Sequence, residues 1–314
     1  MKKILITGAF GLVGSDLVIK LEEKFGKDNL VLLSHNISRN VPYIVENVDV
    51  RNAIELERII KKYGIGDIYH LAGLLSVGGE KNPQLAWDVN VNGLRNILDL
   101  SVKYKCKIFW PSSIAVFGPT TPKIKTPQHT VLEPTTIYGA TKVIGELLCQ
   151  YYFQKFGVDV RSLRYPGLIA YKAPPGDGTT EYSVHIFYSA IKNHSYTCFL
   201  KRSAVLPMMF IDDAIKGTIS LMEANPDRIK IRTSYNFAAI NFAPSDLVEE
   251  IQKIIPDFIC LYKPDHRQKI ADSWPRSIDD SRARRDWGWK NDYNLSRMTK
   301  IMFKQLSIKL GVSV

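Results

Sequence analysis

The sequence predicts an α/β protein built on a doubly wound parallel sheet, and three observations predict it. Short β-rich runs alternate with amphipathic helical patterns through the first half. Three evenly spaced glycines sit directly behind the first apolar run. After Gly167 the texture changes to short segments interrupted by proline. Strand, helix, strand with short connections implies right-handed βαβ units and hence a parallel sheet.

The elements follow in order. "KKILITG" reads as a strand and "GSDLVIKLEEKFG" as a helix stopped at Gly26. "NLVLLS" is the next strand, "NVDV" carries the end of another, and "AIELERIIKKYG" is a helix stopped at Gly64. "DIYHLAG" and "KIFWPSS" are strands on either side of one long helical pattern, "AWDVNVNGLRNILDLSVKY". "IYGATKVIGELLCQYYFQKFG" is a further long helix and "DVRSLRYPG" the strand behind it. "YKAPPGDGTTEY" is too rich in Pro, Gly and Thr for a regular element and too long for a plain connector. Pro207, Pro226, Pro244, Pro256, Pro264 and Pro275 punctuate the rest. We therefore expect a nucleotide-binding domain over residues 1–167, with some later segments returning to it, and a smaller C-terminal substrate-binding lobe over 168–314.

Composition narrows the function classes. At 314 residues, with 45% hydrophobic and 23% charged residues, the chain has ordinary globular composition. No apolar run approaches the roughly 18 residues of a membrane span. "MKKILITGAF" imitates the start of an export signal, but Gly8, Gly11, Gly14 and Asp16 suit a strand, turn and helix. Four scattered cysteines without a CxxC spacing fit a reducing cytoplasm, and six histidines without HExxH imply no metal site. The net charge of +11 raises nucleic acid as a partner. The basic residues are dispersed, however, and the densest run, Arg282, Arg284 and Arg285, is balanced by Asp279, Asp280 and Asp286. A basic surface that draws in anionic small molecules is the expectation, with neither nucleic acid nor membrane as partner.

The glycines carry the first chemistry. Gly8 permits a tight turn, Gly11 lets backbone approach a pyrophosphate, and Gly14 lets helix and strand pack closely. The helix start then offers unpaired N–H groups to the phosphates. With the strand before and the helix behind, GxxGxxG reads as a dinucleotide cradle in a Rossmann-type fold. "LAG", Leu71 to Gly73, ends a strand at the carboxyl edge where such sheets bind ligands. Asp49 is either an acceptor for adenine or a strand-end turn residue, and His70 is expected to pack inside its strand. Tyr138 and Lys142 lie four apart on one helix face. A nearby ammonium would favour the Tyr138 phenolate and make it a usable base. A hydroxyl from "PSSI" would hold the substrate oxygen beside it, with Ser113 preferred over Ser112.

GxxGxxG, "LAG", "PSS" and "YGATK" in this order resemble the extended short-chain dehydrogenase/reductase superfamily, which also contains nucleotide-sugar epimerases and dehydratases. "SSIAVFGPTTPK", "RSLRYPGLI", "GTTEY", "LPMMFIDDA" and "SWPRSIDDS" are similar to the short-chain L-threonine 3-dehydrogenases over nearly the whole chain. The resemblance implies oxidation of L-threonine to 2-amino-3-oxobutyrate with hydride transfer to NAD, no metal, and a homodimer. It implies catalytic roles for Tyr138, Lys142 and Ser113, and a substrate site of Ser76, Ser113, Tyr138, Thr179, Thr180 and Trp274. The implied cofactor residues are Gly8, Gly11, Leu12, Val13, Gly14, Asp49, Val50, Leu71, Ala72, Gly73, Asn90, Tyr138, Lys142, Tyr165, Pro166 and Leu168. The sequence departs from the family after the second strand. An acidic residue is expected there to bind the ribose 2′-hydroxyl, and Ser34, His35 and Asn36 stand in its place with Arg39 close behind. Ser34, His35 and Arg39 are therefore the candidates at the adenosine ribose, and NADP becomes an acceptable cofactor. Two other functions compete at this point, a nucleotide-sugar 4-epimerase or dehydratase and a non-catalytic dinucleotide-binding regulator.

Overall fold

The computed structural model describes residues 2–34 and 41–312. Its first half runs β1 (Lys3–Thr7), α1 (Leu12–Phe25), β2 (Leu30–Ser34), β3 (Ile44–Asn47), α2 (Ala53–Tyr63), β4 (Ile65–His70), α3 (Ser76–Lys81), α4 (Pro83–Trp87), α5 (Gly93–Tyr104), β5 (Lys107–Ser113), α6 (Ile137–Phe156) and β6 (Val160–Tyr165). The second half runs β7 (Gly167–Ile169), α7 (Tyr182–Asn193), β8 (Ser195–Cys198), β9 (Leu206–Phe210), α8 (Ile211–Glu223), β10 (Tyr235–Asn236), β11 (Ile240–Phe242), α9 (Pro244–Gln252), β12 (Ile259–Tyr262), α10 (Arg267–Ser273), α11 (Ser281–Trp287) and α12 (Leu295–Leu310).

Seven parallel strands form the central sheet in the order β10-β6-β5-β4-β1-β2-β3. This is the doubly wound α/β sheet with its order reversing between β1 and β4, the place where such sheets hold ligands outside the carboxyl ends of their strands. Strand alternation explains the two packed faces. Ile4, Ile6, Leu30, Leu32, Tyr69 and Phe109 point to one face. Leu5, Val31, Leu33, Ile68, Ile108 and Trp110 point to the other, toward α2, α5 and α6.

The first face does not stop at residue 167. Its core runs without a break into Tyr182, Phe187, Met208, Phe210, Trp287, Trp289 and Phe303. Within the later half, β10 pairs with β6 and α8 packs on α1. The remaining strands make a three-stranded sheet, β11-β9-β7, and a two-stranded one, β12-β8. Pro207 lies within β9 rather than interrupting a segment, and Pro244 starts α9, where its missing N–H costs no helical hydrogen bond.

Two local expectations change. The strand near "NVDV" lies upstream, at Ile44–Asn47, and Asp49 follows it. The long helix expected over residues 86–104 is interrupted by a π-turn at Asp88–Asn92, which carries the buried Asn90.

Arg161 ties the later half to the sheet. Buried on β6, it donates through Nη1 to the carbonyls of Leu221, Met222 and Ala224 at the end of α8 (2.6, 3.1 and 2.7 Å). Through Nε and Nη2 it grips Asp159. Arg161→Met is expected to remove about 2 kcal/mol of stability, because it leaves the Ala224 carbonyl without the guanidinium and takes one of two arginines from Asp159, which keeps Arg232. Urea unfolding checks this: the midpoint should fall in Arg161→Met and stay native in Lys20→Met, which loses only an exposed pair with Glu23.

Candidate active site

The site grows from the end of β1. Gly8 takes a left-handed backbone conformation (φ +65°), and a Cβ there would stand 2.8 Å from the Ala72 nitrogen. A Cβ on Gly14 would stand 2.3 Å from the Gly8 carbonyl oxygen, so α1 packs onto the turn only without a side chain. No side chain caps α1, and its first turn holds no acidic residue. The first N–H groups of the helix therefore face the turn and suit an anion. Thr7 fastens the neighbouring strand end. Its hydroxyl accepts from Ala72 N (3.1 Å) and shares a hydrogen bond with His70 Nδ1 (2.8 Å), while its carbonyl accepts from Leu71 N. Burial holds His70 near pKa 3, so the ring is neutral packing. These features fit a dinucleotide pyrophosphate.

On the opposite side, Thr136 caps α6 by accepting from Gly139 N (3.1 Å). A Cβ on Gly139 would meet the Ala115 carbonyl oxygen at 2.2 Å, so the helix start presses directly onto the turn after β5. That approach brings Tyr138 to the cavity wall that Ser113 also lines. Lys142 Nζ donates to the Pro111 carbonyl at 2.6 Å and lies 4.6 Å from the Trp110 ring centroid and 5.6 Å from that of Tyr138. Ser112 turns away and donates to Glu146 (2.6 Å).

The electrostatics differ from the expectation that Lys142 lowers the Tyr138 phenol. Burial pushes Tyr138 up to about 12, with Ser113 as the opposing influence. Burial pulls Lys142 down to about 8, against the fields of Cys149 and Glu146. Removing both groups from water penalises both charges, and in this arrangement that penalty outweighs their proximity.

A cavity of 540 Å³ joins the two sides. Of the cofactor candidates, Gly8, Gly11, Leu12, Val13, Gly14, Leu71, Gly73, Tyr138, Lys142, Tyr165, Pro166 and Leu168 line it. All the substrate candidates, Ser76, Ser113, Tyr138, Thr179, Thr180 and Trp274, line it as well. Thr179 and Thr180 arrive on the segment between β7 and α7. Its root is held by the Lys172–Asp16 pair (2.7 Å), and its Gly176 peptide lies between Glu181, which accepts from the N–H, and His185 Nε2, which donates to the carbonyl.

Five candidates stand elsewhere. Ser34 closes β2 without lining the cavity, and Ala72 is taken up by Thr7. Val50 packs under Gly93. The Asp49 carboxylate is gripped by Arg51, at 2.6 Å for the closest contact, in the manner of a turn residue. The Asn90 amide is spent on holding the Leu74 peptide and the Thr141 hydroxyl. His35 and Arg39 lie outside the described residues.

Glu146 and Arg164 escaped the sequence reading. They form a buried two-pronged pair (2.9 and 2.7 Å) directly behind Ser112. The available signal was Glu146 itself, one helical turn beyond Lys142 on the same face. Among the described residues no cluster of three His, Cys, Asp or Glu side chains is arranged to hold a metal, and no helix is long and apolar enough to cross a membrane.

Known proteins match this architecture closely. An L-threonine dehydrogenase structure from Clostridium difficile is 46% identical, covers 100% of this chain and 99% of its own, and superposes with a TM-score of 0.97. A GalE-like L-threonine dehydrogenase from Cupriavidus necator, in holo form, is 48% identical, covers 97% and 99%, and superposes at 0.95. An uncharacterized epimerase/dehydratase of Staphylococcus saprophyticus is 45% identical over 98% of both chains. Residues 4–238, from β1 through β10, match the model of a single family, and the chain belongs to that family, the NAD dependent epimerase/dehydratase family.

Proposed function

We propose that the chain is an L-threonine 3-dehydrogenase that converts L-threonine and NAD to 2-amino-3-oxobutyrate, NADH and a proton. The observation that carries this reading is the single cavity in which Ser113, Tyr138 and Lys142 meet both the glycine turn and Ser76, Thr179, Thr180 and Trp274. The dehydrogenases of matching structure support the same choice of substrate.

The glycine turn and the start of α1 would hold the pyrophosphate, and Pro166 and Leu168 would flank the nicotinamide. When bound, the oxidised nicotinamide supplies the hydride acceptor and a positive charge. Ser113 donates to or accepts from the threonine 3-hydroxyl and fixes it against Tyr138. Tyr138, after releasing its own proton to solvent, takes the hydroxyl proton at its phenolate oxygen as the C–H bond breaks. Lys142, in its charged form, favours the phenolate in that step and meets the nicotinamide ribose. Ser76, Thr179 and Thr180 offer hydroxyls to the substrate carboxylate, and Trp274 shields the reacting carbon from water.

NADH appearing with L-threonine, and not with a UDP-sugar, tests the substrate class against the epimerase reading. Tyr138→Phe keeps the ring and removes the base, so turnover should fall by about 10²–10⁴-fold while NAD affinity stays near native. Retention of most of the turnover would remove Tyr138 from its role.

Cofactor discrimination rests on Ser34. A carboxylate at this place binds the ribose hydroxyls and repels a 2′-phosphate. Serine supplies a hydroxyl without the repulsion, so the enzyme should use NAD and discriminate weakly against NADP. Comparing kcat/KM for the two cofactors checks it. Ser34→Asp should raise the NAD preference, and a native preference above about a thousandfold would show that another residue excludes NADP.

The assembly we favour is a homodimer through α5 and α6. Leu147 and Tyr151 leave 59% and 52% of their surface exposed on α6, and Val102 is exposed on α5. Sedimentation should give a dimer for the native chain and a monomer for Leu147→Glu.

A further inference from the structure

One face of α6 meets three consecutive residues at the end of β5. Tyr138 faces Ser113 across the cavity they line, Lys142 donates to the Pro111 carbonyl, and Glu146 accepts from the Ser112 hydroxyl between them. The three helix residues lie one turn apart. We propose that Glu146 is a positioning residue of the reaction, fixing the strand end that carries Ser113 and setting the field around Lys142. The inference rests on the dehydrogenase reading for what Ser113 and Lys142 do.

Glu146 is suited to both tasks. Its carboxylate is 1% exposed and takes three hydrogen bonds, one from Ser112 and two from Arg164. Arg164 is itself held by the Gln128 carbonyl (3.0 Å) and Asn236 Oδ1 (2.9 Å). The carboxylate therefore cannot swing, and Ser112 is fixed with it. A displacement of the strand end by even an ångström is enough to spoil the alignment of a reacting hydroxyl.

The groups facing Lys142 can be named from every side. Tyr138, Glu146 and Cys149 come from its own helix, His70 from β4, and the Trp110 ring and Pro111 carbonyl from β5. Burial keeps His70 uncharged and raises the Cys149 thiol, and Tyr138 is a neutral phenol near pH 8. Glu146 is then the full negative charge that holds the ammonium protonated. Arg164, on β6, pairs with Glu146, and its guanidinium without that carboxylate would disfavour the ammonium further. A lysine is charged below its midpoint, so removing the carboxylate moves the loss of charge to lower pH than about 8.

The experiment labels lysine with 13C at Cε and follows the Lys142 resonance, assigned by its absence in Lys142→Met, through a pH titration of the full chain. Glu146→Gln should lower the midpoint by about half a unit or more and cut kcat about tenfold, with the NAD dissociation constant within about twofold of native. Glu146→Asp keeps the charge on a shorter side chain, so the midpoint should return toward native while kcat stays low. Ser112→Ala, which removes only a neutral hydroxyl, should leave the midpoint native and lower kcat. A folded Glu146→Gln protein with the native midpoint overturns the proposal. Full kcat in Ser112→Ala does so too, and this variant decides the matter if Glu146→Gln does not fold. The titration needs no substrate. A native chain that makes no NADH from threonine therefore overturns the dehydrogenase reading, while a shifted midpoint still upholds the role of Glu146 at Lys142.

Discussion

The buried pair of Glu146 and Arg164 is the constraint around which the working end of this molecule is arranged. Two charges at 1% and 3% exposure would be ruinous alone. Here every strong donor and acceptor is used. Arg164 meets the carboxylate with two prongs and sends its remaining arm to Gln128 and Asn236, while Ser112 completes the carboxylate. The pair thus joins α6, β5, β6, β10 and the loop before α6 at one point. Gln128 repeats the tie, accepting from Asn236 N and donating to the Ser234 carbonyl. A mispositioned helix leaves a charge unpaired in the core, so the pair discriminates steeply between the native register and its neighbours.

That precision matters because the cavity draws on elements that are far apart in sequence. The glycine turn follows β1, Leu71 and Gly73 follow β4, Ser113 ends β5, and Pro166 follows β6. A parallel sheet gathers strand ends on one edge, and the reversal of order between β1 and β4 opens a crevice there. The substrate side is added by the segment around Thr179 and by Trp274 at the end of α10. That segment is rooted against α1 by the Lys172 pair with Asp16, a carboxylate 4% exposed. Helix α1 and the segment around Thr179 therefore share this ion pair as well as a cavity.

Much of this was legible in the sequence because it rests on local patterns. Alternation of strand and helix gave the sheet, and the glycine spacing placed the cradle at Gly8 to Gly14. The four-residue step from Tyr138 to Lys142 put both on one helix face. What stayed hidden depends on partners distant in the chain. The π-turn at Asp88–Asn92 leaves no periodic trace, since the same residues read as a continuous helix. The two-residue strand β10 is too short to signal itself and exists because β6 offers an edge. Asp49 looked equally suited to adenine and to a turn, and the Arg51 side chain that folds back onto it gives no signal in the sequence. Arg164 went unnoticed inside its strand, because its partner Glu146 lies on α6.

The electrostatic outcome was hidden for a deeper reason. From spacing alone, a lysine near a tyrosine lowers the phenol. In the folded chain both are desolvated, and each is driven toward its neutral form, Tyr138 up to about 12 and Lys142 down to about 8. Tyr138 is a neutral phenol at neutral pH, and Lys142 keeps its charge only below about pH 8. The protein therefore supplies the missing bias from outside the pair. Glu146 does so for the ammonium, held in place by Arg164. For the phenol, Ser113 is the influence that opposes burial and lowers its pKa. Holding Tyr138 as a neutral phenol spares the chain a permanently buried phenolate, which would cost stability.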